Sequence, residues 1–132
     1  MFAIAAFSQA DDTRFEIEFF EELVSCDPCN EEALMILGNT YTRRGEYEKG
    51  LSIDRRLARL RPGDPTVYYN LACSYCLLRK LDEAFTALGR AISLGYRDAR
   101  HMTKDPDLAN LRSDPRFGTL LGRLIGRSAS DS

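Results

Sequence analysis

The feature that most narrows what this chain can fold into is an internal repetition. Shifting the sequence by 34 positions places Leu37 on Leu71, Tyr41 on Tyr75, Leu60 on Leu94 and Asp64 on Asp98. Gly38 falls on Ala72, Gly50 on Ala84 and Leu57 on Ala91. Agreement is confined to small and apolar positions at helical spacing, which is where two helices pack closely while their surfaces drift. A unit of this length cannot bury its own apolar face, so it must stack on neighbours.

Local signals support helices in each unit. Asn30 is placed to cap the first helix, and Asp64-Pro65 to start the equivalent one, because a side-chain oxygen satisfies free amides and proline fits the first turn. Gly45 and Gly95 are placed to end helices through a left-handed residue, and Asp82 to open a second helix. Leu34, Leu37, Gly38 and Tyr41 share one helical face. A buried carboxylate needs a partner, so Asp54 in this unit is expected to be partly exposed or paired with an arginine. Gly50 inside a helix costs about 1 kcal/mol of propensity.

The spacing Leu34-x2-Leu37-Gly38-x2-Tyr41, with Gly45, Tyr47, Gly50, Leu57 and Pro62, and its echo Tyr68-x2-Leu71-Ala72-x2-Tyr75, with Leu81, Ala84, Leu88 and Ala91, resembles the tetratricopeptide repeat. The resemblance covers about half the chain directly and implies an all-α fold: helical hairpins in a right-handed superhelix, two full repeats with helical caps at both ends. Residues 30–64 form the first repeat and 65–98 the second. Residues 12–29 hold an apolar stripe (Phe15, Phe19, Phe20, Leu23, Val24), and Pro28 lies 34 before Pro62. That segment reads as a degenerate preceding repeat, an N-terminal capping helix after an arm at 1–11. Residues 99–126 read as C-terminal capping helices, opened at Asp98, Asp105-Pro106 and Asp114-Pro115, and 127–132 as a loose tail. The run Asp107 to Phe117 resembles the closing segment of many bacterial tetratricopeptide proteins.

The resemblance also implies which side chains line a concave groove. They are Glu32, Met35, Asn39, Thr42 and Arg43, then Thr66, Tyr69, Asn70, Cys73, Cys76 and Leu77, then Arg100 and Lys104. Asparagines to pair with a peptide backbone, beside Met35 and Tyr69 for apolar contact, suit an extended peptide. A sharper form is a clamp for a partner's C-terminal carboxylate, which Asn39, Asn70, Arg100 and Lys104 match by register, with Met35 standing where the family has a lysine. The expected function is a non-catalytic adaptor, scaffold or co-chaperone binding a protein or peptide.

Other chemistries have less in their favour. Cys26-x2-Cys29 and Cys73-x2-Cys76 have metal-like internal spacing, and four convergent thiolates could hold zinc or act in redox chemistry. The plainer reading is free, semi-buried thiols, since one pair sits in a turn and the other mid-helix, so no metal or cofactor is expected. His101 is the single histidine, no phosphate loop or nucleophile motif occurs, and no enzymatic activity is expected. Arg55, Arg56, Arg59 and Arg61 read as a solvated face, with an acidic partner as the alternative.

Charge completes the reading. Eighteen basic and twenty acidic residues give −2, too balanced for a general nucleic-acid binder. No apolar run reaches the ~18–20 residues of a membrane helix, and the apolar opening Met1–Phe7 lacks a basic flank, so a cytoplasmic protein is expected. Residues 1–36 carry −8 and residues 37–132 carry +6. An acidic end and a basic end favour head-to-tail association or steering of a charged partner. The end caps, with Gly118, Gly122 and Gly126 recurring on the last helix, offer a surface for a homo-oligomer.

Overall fold

Repetition in sequence becomes repetition in hydrogen bonding. The structure, a computed structural model, describes residues 9–131. Within them the chain forms α1 (Gln9–Cys26), α2 (Glu31–Arg43), α3 (Tyr47–Leu60), α4 (Pro65–Leu77), α5 (Leu81–Ser93), α6 (Ala99–Lys104), a 3-10 helix (Pro106–Leu111) and α7 (Pro115–Asp131), with no strand among the described residues. Two compact units divide at Leu60 and Arg61. In the first, α2 packs on α1 and α3; in the second, α4 packs on α5, the 3-10 helix on α4 and α5, and α7 on α5 and α6.

Each unit is built round one helical hairpin, and the two hairpins share a backbone plan. In the first, the amide of Arg44 donates to Thr40 O, Gly45 to Thr42 O and Glu46 to Tyr41 O. In the second, 34 residues on, Leu78 donates to Ser74 O, Arg79 to Cys76 O and Lys80 to Tyr75 O. This closure needs one left-handed residue, and the chain supplies Gly45 at φ +85° and Arg79 at φ +60°. Arginine there is strained, because its Cβ crowds the following carbonyl.

Caps follow the sequence with one exception. Asn30 Oδ1 accepts from Ala33 N at 3.1 Å, Asp64 Oδ1 from Thr66 N at 2.9 Å and Asp98 Oδ1 from His101 N at 2.9 Å. Asp82 does not cap α5. The cap position is Lys80, which makes no side-chain cap bond, because the turn that closes α4 leads directly into α5. Asp82 lies in the first turn of α5 and pairs instead with Arg116 at 2.7 Å.

The ends depart from expectation. Residues 1–8 of the arm lie outside the described residues, and α1 begins at Gln9, ahead of Asp12. The last helix continues through Asp131, so 127–131 is helical and not a loose tail. No proline or left-handed glycine stops it after Gly126, and Ser and Ala can continue the turn.

Hairpin packing is set by paired small residues. A Cβ at Gly38 would lie 3.1 Å from Ile53 Cγ2 and 3.2 Å from Asp54 Oδ1, and one at Gly50 2.9 Å from Thr42 Oγ1. In the second hairpin the equivalent positions are Ala72 against Ala87 and Leu88, and Ala84 against Cys76. The first hairpin carries glycine at both of these positions, and the second carries alanine at both. Asp54, expected to be partly exposed or paired with an arginine, is buried at 7% exposure. The gap left by glycine admits its carboxylate against α2, and no fully enclosed polar side-chain atom among the described residues lacks a hydrogen bond.

Gly38→Ala should therefore destabilise the chain by about 1–3 kcal/mol through overpacking, although alanine is the better helix former. Urea denaturation of Gly38→Ala, Ile53→Ala and the double variant should show the double variant more stable than the sum of the single losses.

Candidate functional site

The predicted groove residues divide between the two units, and each unit treats them differently. On α2, Glu32 and Asn39 are exposed and Met35 is half-buried. Spacings of three and four place them in one stripe. Arg43, at the end of that stripe, is exposed but turned to α1: its Nη2 donates to Glu16 Oε1 at 3.0 Å and to Thr40 Oγ1 at 3.1 Å. Thr40 also donates to Glu16, and Tyr41 to Glu21. Burial and that bond raise the Tyr41 phenol well above its usual range. Thr42 is half-buried. Its hydroxyl donates to Gly38 O at 3.1 Å and faces the close crossing with α3 at Gly50.

On α4 the expected lining is mostly covered. Thr66 is exposed and Asn70 and Leu77 are half-buried, but Tyr69, Cys73 and Cys76 are 5%, 7% and 0% exposed. The chain's own closing segment lies over them. Tyr69 Oη donates to Asp105 Oδ2 at 2.7 Å, and its ring stacks on Tyr96 with centroids 4.5 Å apart. Cys73 Sγ lies 3.9 Å from the same carboxylate oxygen. Asn110 Nδ2 donates to Cys76 O at 3.1 Å, while Leu108 and Leu111 are fully buried. The groove assignment for Tyr69, Cys73 and Cys76 is thus corrected: they are the floor beneath the segment Asp105–Leu111.

Asp105 anchors this arrangement; the sequence marked it as a helix start but not as the partner of Tyr69. It begins the 3-10 helix, with Oδ1 accepting from Asp107 N at 2.9 Å. Oδ2 takes Tyr69, and His101 Nε2 approaches it at 3.3 Å. The Asp105 carbonyl accepts from Arg112. A signal was available: α4 contains no charged residue in its 13 positions, and a helix apolar all round is covered on more than one face.

The ionisable groups here are held by burial. Tyr69 is raised far above an ordinary phenol, first by burial and then by its bond to Asp105. Burial pushes Tyr96 up to about 12. Burial also raises the Cys76 thiol, which disfavours the nucleophilic thiolate. Asp107 is raised by burial and by the neighbouring Asp105 charge.

Arg100 and Lys104 are exposed on α6, in the second unit with Asn70, while Asn39 belongs to the first. Cys26 and Cys29 are exposed and Cys73 and Cys76 buried, and none of the four is in a disulfide. Among the described residues no three His, Cys, Asp or Glu side chains are grouped as a metal site would require. No described helix is long and apolar enough to cross a membrane.

No protein-family model matches the chain. A stretch of 90 residues, 64% of this chain, is 32% identical to a chloroplastic protein of Arabidopsis thaliana. The stretch spans 26% of that protein's length.

Two outcomes follow from the Asp105 anchor. Tyr69→Phe deprives a buried carboxylate of a donor and should cost about 1–3 kcal/mol. Hydrogen exchange should then quicken at Leu108–Leu111, which a merely local change at Tyr69 would not do. Asp107 has a folded pKa above its unfolded value, so its charge opposes folding at neutral pH and ceases to do so once it is protonated. Asp107→Asn should therefore raise the melting temperature at pH 7, and the gain should fade as the pH falls through the folded pKa towards the ordinary carboxylate value.

Proposed function

We propose that the chain is a tetratricopeptide-type module that captures a peptide or protein segment without catalysis, using the α2 face of its first hairpin. Stacking of the hairpins into a right-handed superhelix belongs to this reading. The observation that carries it is the contrast between two hairpins with one backbone plan. The face of α4 is covered by the chain's own Asp105–Leu111. The corresponding stripe of α2 leaves Asn39 exposed and Met35 half-buried.

The covering segment supplies a template for the occupant. It buries two leucines three residues apart and donates one amide hydrogen bond to a helix carbonyl. A short helical or turn-like segment with two apolar side chains and a carboxamide would have the same chemistry. On α2, Met35 would provide adaptable apolar contact, and Asn39 would both donate and accept. The narrower surface, compared with a groove lined by both hairpins, favours weak and reversible capture.

Panning a displayed library of short peptides against the folded chain should enrich sequences with paired apolar residues. Met35→Glu should abolish their binding, and Asn39→Ala should weaken it by about tenfold, near 1.4 kcal/mol, with the helical circular dichroism unchanged. Enriched peptides that bind these variants as well as wild type, or no enrichment at all, would remove the α2 face as the site.

A further inference from the structure

The two hairpins treat one tyrosine position differently. In the first, Lys49 Nζ lies 5.7 Å from the centroid of the Tyr41 ring and pairs with Glu46 at 3.4 Å. A cation of the chain itself thus occupies that ring face. In the second hairpin, 34 residues on, Tyr75 stands for Tyr41, Glu83 for Lys49 and Lys80 for Glu46. Among the described residues no cation lies over the Tyr75 ring, and Glu83 forms no ion pair, with Lys80 or with any other residue. The register that is self-satisfied in one hairpin offers a bare ring and a carboxylate in the other.

A cavity lies at this place. Tyr68, Leu71 and Tyr75 of α4 and Glu83, Ala87 and Arg90 of α5 line a space of about 430 Å³, within the ~300–1,000 Å³ of small-ligand sites. Leu71 and Ala87 are buried and form an apolar floor, and Tyr68 and Tyr75 are half-buried walls. Charge is divided along α5. Asp82 also borders the cavity, but Arg116 holds it at 2.7 Å, so the carboxylate left for a ligand is that of Glu83. Arg90 sits over the Tyr68 ring at 5.6 Å, seven residues and about 10 Å along the helix from Glu83. A ligand's cation therefore belongs at the Glu83 end. Beside the cavity the same helix already holds one cation in this way: the Arg116 guanidinium lies 4.4 Å from the Phe85 ring centroid while bound to Asp82.

We propose that this cavity binds an alkylammonium group, its nitrogen held by the Tyr75 ring and the Glu83 carboxylate and its apolar stem lying along Leu71 and Ala87. A lysine side chain of a partner and a free organic cation share this chemistry. Half-burial of the ring removes part of the water that weakens a cation–ring contact at an open surface. The carboxylate adds a charge-assisted hydrogen bond that a neutral ligand cannot make. Glutamate in place of lysine is the decisive difference, since a lysine at this position would bring its own ammonium to the ring, as Lys49 does. This inference is independent of the peptide-binding proposal, since neither Met35 nor Asn39 takes part.

Titration of the full chain with pentylammonium, followed by NMR of the assigned Tyr75 ring, tests it. Wild type should bind pentylammonium about tenfold more tightly than 1-pentanol, the neutral ligand with the same stem. Glu83→Gln should weaken binding of the amine by about tenfold, and Glu83→Lys, which restores the residue of the first hairpin, should abolish it. Both changes are at an exposed position and should leave the helical circular dichroism unchanged. A second titration, with N-acetyl-lysine methylamide, distinguishes the sources. Tighter binding than pentylammonium assigns the site to a lysine of a partner chain; equal or weaker binding assigns it to a free organic cation. Pentanol bound as well as pentylammonium overturns the proposal, as does a Glu83→Lys variant that binds like wild type. Tyr75 resonances that neither amine shifts overturn it too.

Discussion

Everything in this chain follows from how closely two helices can cross. In the first hairpin α2 approaches α3 at Gly38 and Gly50, where an added Cβ would stand 2.9–3.2 Å from side chains of the other helix. By register the second hairpin has Ala72 and Ala84 at the glycine positions, with Ala87, Leu88 and Cys76 at the positions equivalent to Ile53, Asp54 and Thr42. Sums of side-chain size across the crossing are held, while the individual residues are not. Once the crossing is fixed, helical periodicity decides which way every other residue faces. The residues that cannot reach the crossing are left for another element, for solvent or for a partner.

The two hairpins use that remainder differently. Helix α4 has no charged residue to offer water, so its outer face had to be covered. The segment that covers it brings a carboxylate into the protein, a costly act unless donors are waiting. Tyr69, the amide of Asp107 and His101 meet Asp105, and the two buried leucines supply the apolar gain. Helix α2 solves its surface otherwise. Glu31, Glu32, Asn39 and Arg43 keep it compatible with water, and Glu16 and Glu21 on α1 hold its buried hydroxyls. Near-equal backbones thus present a covered face and an uncovered one.

What could be read from the sequence was what local chemistry decides. Asn30, Asp64 and Asp98 cap helices, and Gly45 and Gly95 adopt left-handed backbone, because each need is met within a few residues. The proline starts and the apolar stripe of the last helix were legible for the same reason. The lining of α4 was not. Register gave the direction of Tyr69, Cys73 and Cys76 but not what lay opposite, since the covering segment comes from some 30 residues further on. Register also did not fix the tips of Thr42 and Arg43: a hydroxyl bonds its own helix and a long guanidinium reaches a neighbour. The burial of Asp54 depends on room made by a glycine on the other helix, which its own position in the sequence does not show.

Charge is the property for which sequence reasoning is least exposed to such errors. A salt bridge such as Arg116 with Asp82 and Asp114, or Arg43 with Glu16, removes one charge of each sign from the local field and leaves the sum untouched. The first compact unit therefore keeps −5 and the second +3, whatever rotamers its side chains adopt. At distances beyond a few ångströms a partner senses that remainder, with a reach set by a screening length of about 8 Å at physiological salt. Side-chain contacts decide what is held once surfaces touch, and they need coordinates. The sign of the encounter is decided earlier by net charge, so the acidic and basic ends constrain partners even where individual site residues prove to be part of the core.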